Sequence, residues 1–249
     1  MSFLKKLKTT EKVEKPKDSL GGVQVRPSAI NTFKIKNIYF LPAVPSGAMM
    51  CHLTVTDEAG LDYRESICVA SGDAKGNKST YTNAKGEAHY LPGYIIINDI
   101  AMLTIETDIT DLETETITVK HYDKEAKKEV PTEVEVVTEM IGEEVQLAIK
   151  HIIKNKQEQI NGKYVDVNDR REINEIAAAF HSESDQTLNE AIADTDAEFK
   201  QKWLDKNEGK PFDTFKEVSA SKGGNSFTSK NKGDSAAGGA KKSMFTKGG

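Results

Sequence analysis

The chain has 249 residues, a formal net charge of -5, 37% hydrophobic residues and a mean hydropathy of -0.54. That length accommodates one domain of ordinary size with appendages, and the low apolar content predicts that part of the chain buries no core. The first 18 residues carry six lysines against three acids and residues 217–249 carry six against two, so the body between them is acidic. This excludes a uniformly basic, histone-like DNA binder and confines any nucleic-acid site to a local groove.

No run reaches the roughly 18 apolar residues of a membrane-spanning helix, and Met1–Thr10 lacks the apolar stretch of a secretory signal. The expectation is a soluble, cytoplasmic protein with no membrane contact. Composition divides it into a basic flexible arm (1–22), an organised body (23–216) and a Gly/Ser/Lys tail (217–249), which is expected to be disordered. Phe227 and Phe245 interrupt the tail, the latter beside Lys241 and Lys242; they are either docking residues or neutral decoration.

The body opens on strands. Phe33-Lys34-Ile35-Lys36 alternates and runs into Asn37-Ile38-Tyr39-Phe40, closed by Pro42 and Pro45. Met49–Thr56 and Leu61–Ala70 read as a hairpin. Pairing Val55 with Leu61 and Leu53 with Tyr63 places both apolar sets on one face, with Gly60 as a bulge residue. Cys51 then points inward and Cys68 outward, which favours free thiols over a disulfide, and His52, Thr54, Arg64 and Ser66 share the polar face. Residues 71–94 read as a long loop or loose hairpin, followed by a short helix capped by Asn98 and burying Ile100 and Leu103. Thr116–Tyr122, Glu129–Met140 and Val145–Asn155 are further strands, with a turn at Gly142 and with Pro131 marking an edge or a strand start.

From 170 to 208 the pattern predicts helices. Ile173, Ile176, Ala177 and Phe180 follow helical spacing, and Thr187-Leu188-Asn189-Glu190 has the form of a capping box that opens a longer helix with Leu188, Ile192, Phe199 and Trp203 buried. The expected fold is mainly β with an α addition: an OB-like, partly open Greek-key β-barrel with C-terminal helices and a disordered tail.

Catalytic chemistry finds little support. Gly72-Asp73-Ala74-Lys75-Gly76-Asn77-Lys78-Ser79 fails the phosphate-loop template, because its glycines are one residue too close and Asn77 separates Gly76 from Lys78. The histidines and cysteines lack metal-ligand spacing, and no nucleophile elbow occurs. The expectation is no enzyme, no metal and no cofactor.

Four of the seven tyrosines, Tyr63, Tyr81, Tyr90 and Tyr94, lie in 61–94 together with Arg64, Lys75, Lys78 and Lys85. Flat side chains for stacking bases and cations along a phosphate track are what sequence-tolerant single-strand binding requires. The candidate DNA-binding set is these residues with Lys34 and Lys36. Alternatively, Tyr63 and Tyr94 are core residues and the lysines solvate a loop.

Several blocks, in order, carry a resemblance: Val25-Arg26-Pro27-Ser28-Ala29-Ile30, Lys34-Ile35-Lys36-Asn37-Ile38-Tyr39, Arg64-Glu65-Ser66-Ile67, Leu91-Pro92-Gly93-Tyr94 and Val119-Lys120-His121-Tyr122-Asp123. Arg171-Glu172-Ile173-Asn174-Glu175-Ile176, Trp203-Leu204-Asp205-Lys206-Asn207 and Lys241-Lys242-Ser243-Met244-Phe245 continue it. Together they resemble the bacteriophage replication single-stranded DNA-binding proteins. The resemblance implies an OB-type core that coats exposed single strands during replication, recombination and repair in the cytoplasm of the infected host. Its implied partners are single-stranded DNA and phage replication proteins (polymerase, helicase, primase) reached through tail residues Lys241, Lys242 and Phe245, with homo-oligomers also within its scope. Many single-stranded DNA-binding proteins end in an acidic tail, whereas this tail is basic, so that role does not transfer directly. A structural or virion-associated interaction module is the competing reading.

Overall fold

The computed structural model describes residues 25–123, 126–160 and 163–218. The basic arm and the tail positions Lys241, Lys242 and Phe245 lie outside the described residues.

Strand β1 (Ala29–Ala43) buries Phe33, Ile35 and Ile38 and half-buries Phe40. Strict alternation cannot do this. A bulge against β2 (Ala48–Asp57) makes Lys36 the extra residue, so that Ile35 faces Val55 and Asn37 faces Thr54, and the inward set resumes at Ile38.

The hairpin from β2 to β3 (Asp62–Ala70) turns through Glu58-Ala59-Gly60, with Gly60 at φ +78° as the expected bulge residue. Asp57 Oδ1 accepts the Leu61 N–H at 2.8 Å, which tightens the turn. The register is therefore two residues from the expected one: Val55 faces Tyr63, and Leu53 faces Glu65. An even shift preserves faces, so Cys51 is buried and Cys68 exposed, both as free thiols. Leu61, expected inside, is 61% exposed at the turn.

A small hairpin of β4 (Thr80–Thr82) and β5 (Ala88–Tyr90) leads into α1 (Pro92–Ile105). The helix begins six residues before Asn98, at a proline whose missing N–H costs nothing in the first turn. Asn98 is mid-helix, and its Oδ1 accepts the Ile109 N–H at 2.9 Å. Ile97, Ile100, Ala101 and Leu103 face the core. A Cβ on Gly93 would lie 2.2 Å from the Cys68 carbonyl oxygen, so glycine lets the first turn rest on β3.

Strands β6 (Glu115–Asp123) and β7 (Lys128–Val136) form a hairpin joined to β1 through Tyr39↔Val136 and Phe40↔Glu135. Pro131 pairs with Lys120 of β6 where β7 has no second neighbour among the described residues, as its missing donor requires. The first half of β1 pairs instead with β8 (Glu144–Ile160).

The region expected to open the helical addition is strand. Residues Ile173, Ile176, Ala177 and Phe180 lie in β9 (Lys163–His181), antiparallel to β8. A register shift between Ala148↔Ala178 and Ile149↔Ile176 leaves Ala177 as a bulge. Ile176 and Ala179 belong to the main core, while Ala178 and Phe180 pack outward with Ala148, Trp203 and Leu204. A bulged strand covered on both faces thus mimics helical spacing.

The capping box is present: Thr187 Oγ1 accepts the Glu190 N–H at 3.2 Å, and Glu190 Oε2 accepts the Thr187 N–H at 2.9 Å. It opens only α2 (Leu188–Ile192). Asp194 at φ +51° ends this turn, and Glu190 Oε1 accepts the Phe199 N–H at 2.8 Å at the start of α3 (Phe199–Asn207). Of the expected stripe, Trp203 is buried, whereas Ile192 is 72% and Phe199 44% exposed. A short β10 (Phe212–Asp213) pairs parallel with β8.

The protein is mainly β. One large sheet runs β10-β8-β1-β2-β3, with β9 on β8 and the β6–β7 hairpin on β1. The sheet is not closed, since no ladder joins β3 to β9 among the described residues. Instead α1 lies between these edges, with its Ile97 and Ile100 in one core cluster with Ile67, Leu147 and Ile176 of the strands.

Candidate nucleic-acid interface

Away from the core, β1–β2–β3 present a polar face. Cross-strand pairing lays it out in rows: Lys34–Thr56–Asp62, Asn37–Thr54–Arg64, and Tyr39–His52–Ser66. Lys36, displaced by the bulge, joins the first row, with its ammonium 2.9 Å from Asp62 Oδ2 and 3.1 Å from Oδ1. Three of the expected DNA-binding cations, Lys34, Lys36 and Arg64, are thus gathered on one face, all exposed. None is unopposed: Lys34 lies 3.6 Å from Glu144, and Arg64 lies 3.6 Å from Asp62.

The third row holds an aromatic cluster that sequence reasoning missed. Tyr39 and His52 stack at 4.9 Å between centroids and 15° between planes, and the ring of His121 from β6 meets His52 edge-on at 4.9 Å. Tyr39 Oη and His121 Nδ1 are 3.0 Å apart, and Ser66 Oγ and His52 Nδ1 2.9 Å. The β6–β7 hairpin folds over this end of the face, packing Val119, Val134 and Val136 against Tyr39 and Leu41. Burial and the neighbouring His121 depress His52 to about 4, so it is neutral near pH 7; burial raises the Tyr39 phenol, which stays protonated. Tyr39 is buried, so the half-buried rings of His52 and His121 are what the cluster offers, as ring surface rather than charge. Alternation places Tyr39 and His52 on the polar face, but only the fold brings in His121, 69 residues beyond His52 in the sequence.

Tyr63 does not belong to this face. It points inward, its ring 6.5 Å from Phe33 and its hydroxyl donating to Glu65 Oε2 at 2.7 Å. The expected stacking role for Tyr63 is corrected to a core role, because period-two alternation sends it to the opposite side from Arg64.

The remaining candidates follow β3, at the β1–β2 turn end of the strands, opposite the Asp62 end. The segment after β3 is tied to the β1–β2 turn by the Asp73 N–H donating to the Ser46 carbonyl at 3.0 Å, and it carries exposed Lys75 and Lys78. The β4–β5 hairpin presents Tyr81 at 46% and Tyr90 at 54% exposure, with Lys85 in its turn. Tyr81 packs on His89 at 5.7 Å, and Tyr90 stacks on Tyr94 at 4.9 Å and 11°. Tyr94 is half-buried and backs Tyr90 from the first turn of α1.

Among the described residues no cluster of three or more His, Cys, Asp or Glu side chains could hold a metal ion, and no helix is long and apolar enough to cross a membrane. No protein-family model matches the sequence, and no curated protein matches it at a significant level.

Proposed function

We propose that the protein binds single-stranded DNA without catalysis, on the outer face of β1–β2–β3 and the two hairpins that flank it. The observation that carries this reading is the juxtaposition, on one sheet face, of exposed Lys34, Lys36 and Arg64 with the half-buried rings of His52 and His121, which are backed by buried Tyr39. Stacking surface beside cations is the chemistry of sequence-tolerant single-strand binding. Tyr81 and Tyr90 extend the stacking surface, and Lys75, Lys78 and Lys85 extend the phosphate track.

The open sheet is read as an OB-like, partly open barrel, with α1 in the gap between its edges. In OB folds the face of the second and third strands binds oligonucleotides, which coincides with the face described above. This is an analogy of architecture, and the site chemistry carries the functional argument. The physiological reading that follows is protection of strands exposed during phage replication, recombination and repair in the infected host's cytoplasm. Lys241, Lys242 and Phe245 of the tail are proposed to recruit replication proteins.

Fluorescence anisotropy with labelled oligo-dT, compared with duplex of equal length in rising salt, tests the proposal. The expected result is preference for the single strand without added metal or nucleotide, no change in oligonucleotide length, and a log-log salt slope of about -0.7 per phosphate contact. Equal affinity for duplex would overturn it, and absence of salt-sensitive affinity would favour the interaction-module reading.

A further inference from the structure

Four polar groups converge at the Asp62 end of the outer face. The Asp62 carboxylate accepts from Lys36 Nζ at 2.9 and 3.1 Å and from Thr56 Oγ1 at 2.8 Å, and Arg64 Nη2 lies 3.6 Å away. Three independent features build this arrangement: the β1 bulge re-aims Lys36, the Thr56↔Asp62 pair ends the β2–β3 ladder, and Arg64 follows Asp62 by two residues on the same face. The carboxylate is the covered member, since the Asp62 side chain is 24% exposed while Lys36 is 57% and Arg64 71% exposed.

An ammonium, a guanidinium and a hydroxyl around one small anion are the donors that would hold a phosphodiester oxygen. We propose that Lys36, Thr56 and Arg64 form a phosphodiester subsite that Asp62 fills in the DNA-free protein as a built-in competitor. This inference rests on the single-strand reading above and adds its regulation: an entering phosphate must displace the carboxylate or share its donors. The device preorganises the donors and, at the same time, weakens binding by keeping one negative charge in the track. It also favours release, because the carboxylate recaptures Lys36 when the strand leaves.

The test uses the full chain and labelled oligo-dT at low and high salt. Asp62→Asn keeps the side-chain shape and removes the charge; it is expected to bind roughly fivefold tighter at low salt, the effect of one like charge about 4 Å away in water-like surroundings. The gain should fade as salt rises. Glu58→Gln, an equal charge change on the β2–β3 turn, should stay within about twofold of wild type. In a Lys36→Ala background the Asp62→Asn gain should shrink. Unchanged or weaker binding by Asp62→Asn at an unchanged melting temperature would overturn the inference, as would an equal gain in Glu58→Gln. Asp62→Ser provides the same comparison if the asparagine form does not fold. Binding by wild type with no gain in either Asp62 variant removes only this inference; absence of binding by every form, wild type included, removes the proposed function and the subsite together.

Discussion

The carboxylate of Glu65 in β3 accepts the backbone N–H of Ile176 in β9 at 2.9 Å, so a single side chain spans two sheet edges that no ladder joins among the described residues. The N–H lies beside the β9 bulge at Ala177, where the β8–β9 register shifts. The same Glu65 oxygen accepts from Tyr63 Oη at 2.7 Å. Arg26 reinforces the seam: its backbone N–H donates to Asn174 Oδ1 of β9 at 2.8 Å, and its guanidinium donates to Asp57 at 2.7 Å. The seam is therefore held by side chains and by the underlying helix.

Glu65 makes the seam sensitive to pH. Burial is the main cause that pushes its carboxyl up to about 7, with Glu175 adding to it, while the hydrogen bonds from Tyr63 and Ile176 and the Lys154 charge act the other way. A carboxyl raised in the folded state stabilises below its unfolded value near 4.5, and this contribution is lost as pH rises through about 7. The difference corresponds to on the order of 3 kcal/mol. Glu65→Gln keeps an acceptor for Ile176 and should be more stable than wild type at pH 8, with the advantage shrinking toward pH 4.5. Urea titrations of both forms across this range check the sign; a pH-independent difference would contradict it.

His52 should titrate in the opposite sense. Its ring is depressed to about 4, first by burial and then by His121. A depressed folded value means that its contribution is present above the unfolded value near 6.5 and is lost as pH falls toward 4. The expected observation is a neutral His52 ring in NMR titration down to about pH 5. A midpoint at or above 6.5 would show that the cluster is open to water.

The tyrosines separate into two classes. Tyr81→Ala and Tyr90→Ala, both on the exposed hairpin, should cost roughly 1–3 kcal/mol of oligo-dT binding with little change in melting temperature. Tyr63→Phe leaves Glu65 without its hydroxyl donor and should lower stability by roughly 1 kcal/mol, while oligonucleotide affinity of the folded protein stays the same. Reversal of this pattern would move the interface away from the hairpin.

Trp203 anchors the C-terminal helix. It is 7% exposed and packs with Phe180 and Ala148 on the side of β8 and β9 away from the main core. Trp203→Ala should destabilise by roughly 3–5 kcal/mol. A loss below about 1 kcal/mol in urea unfolding would mean that α3 is an independent appendage.

Local sequence determined much of this protein. The spacing of Phe33, Ile35, Ile38 and Phe40, the glycine at 60, the position of Pro131 and the Thr187–Glu190 box each encode a strand, turn, edge or cap within a few residues. Faces were legible for the same reason: alternation has a period of two, so Cys51 and Cys68 separate even though the β2–β3 register differs by two residues. What only the tertiary structure decided depends on distant chain segments. Ile173, Ile176, Ala177 and Phe180 have helical spacing, but β8 supplies the ladder and Trp203 covers the outer face, so a strand bulged at exposed Ala177 buries Ile176 on one face and Phe180 on the other without a helix. Likewise Glu65 reads as a solvated residue until β9 arrives beside it, and His121 acquires its place with Tyr39 and His52 only when β7 pairs with β1. The cause is physical: short-range periodicity reports which residues can share a face, whereas burial and partnership on that face are set by contacts dozens of residues away.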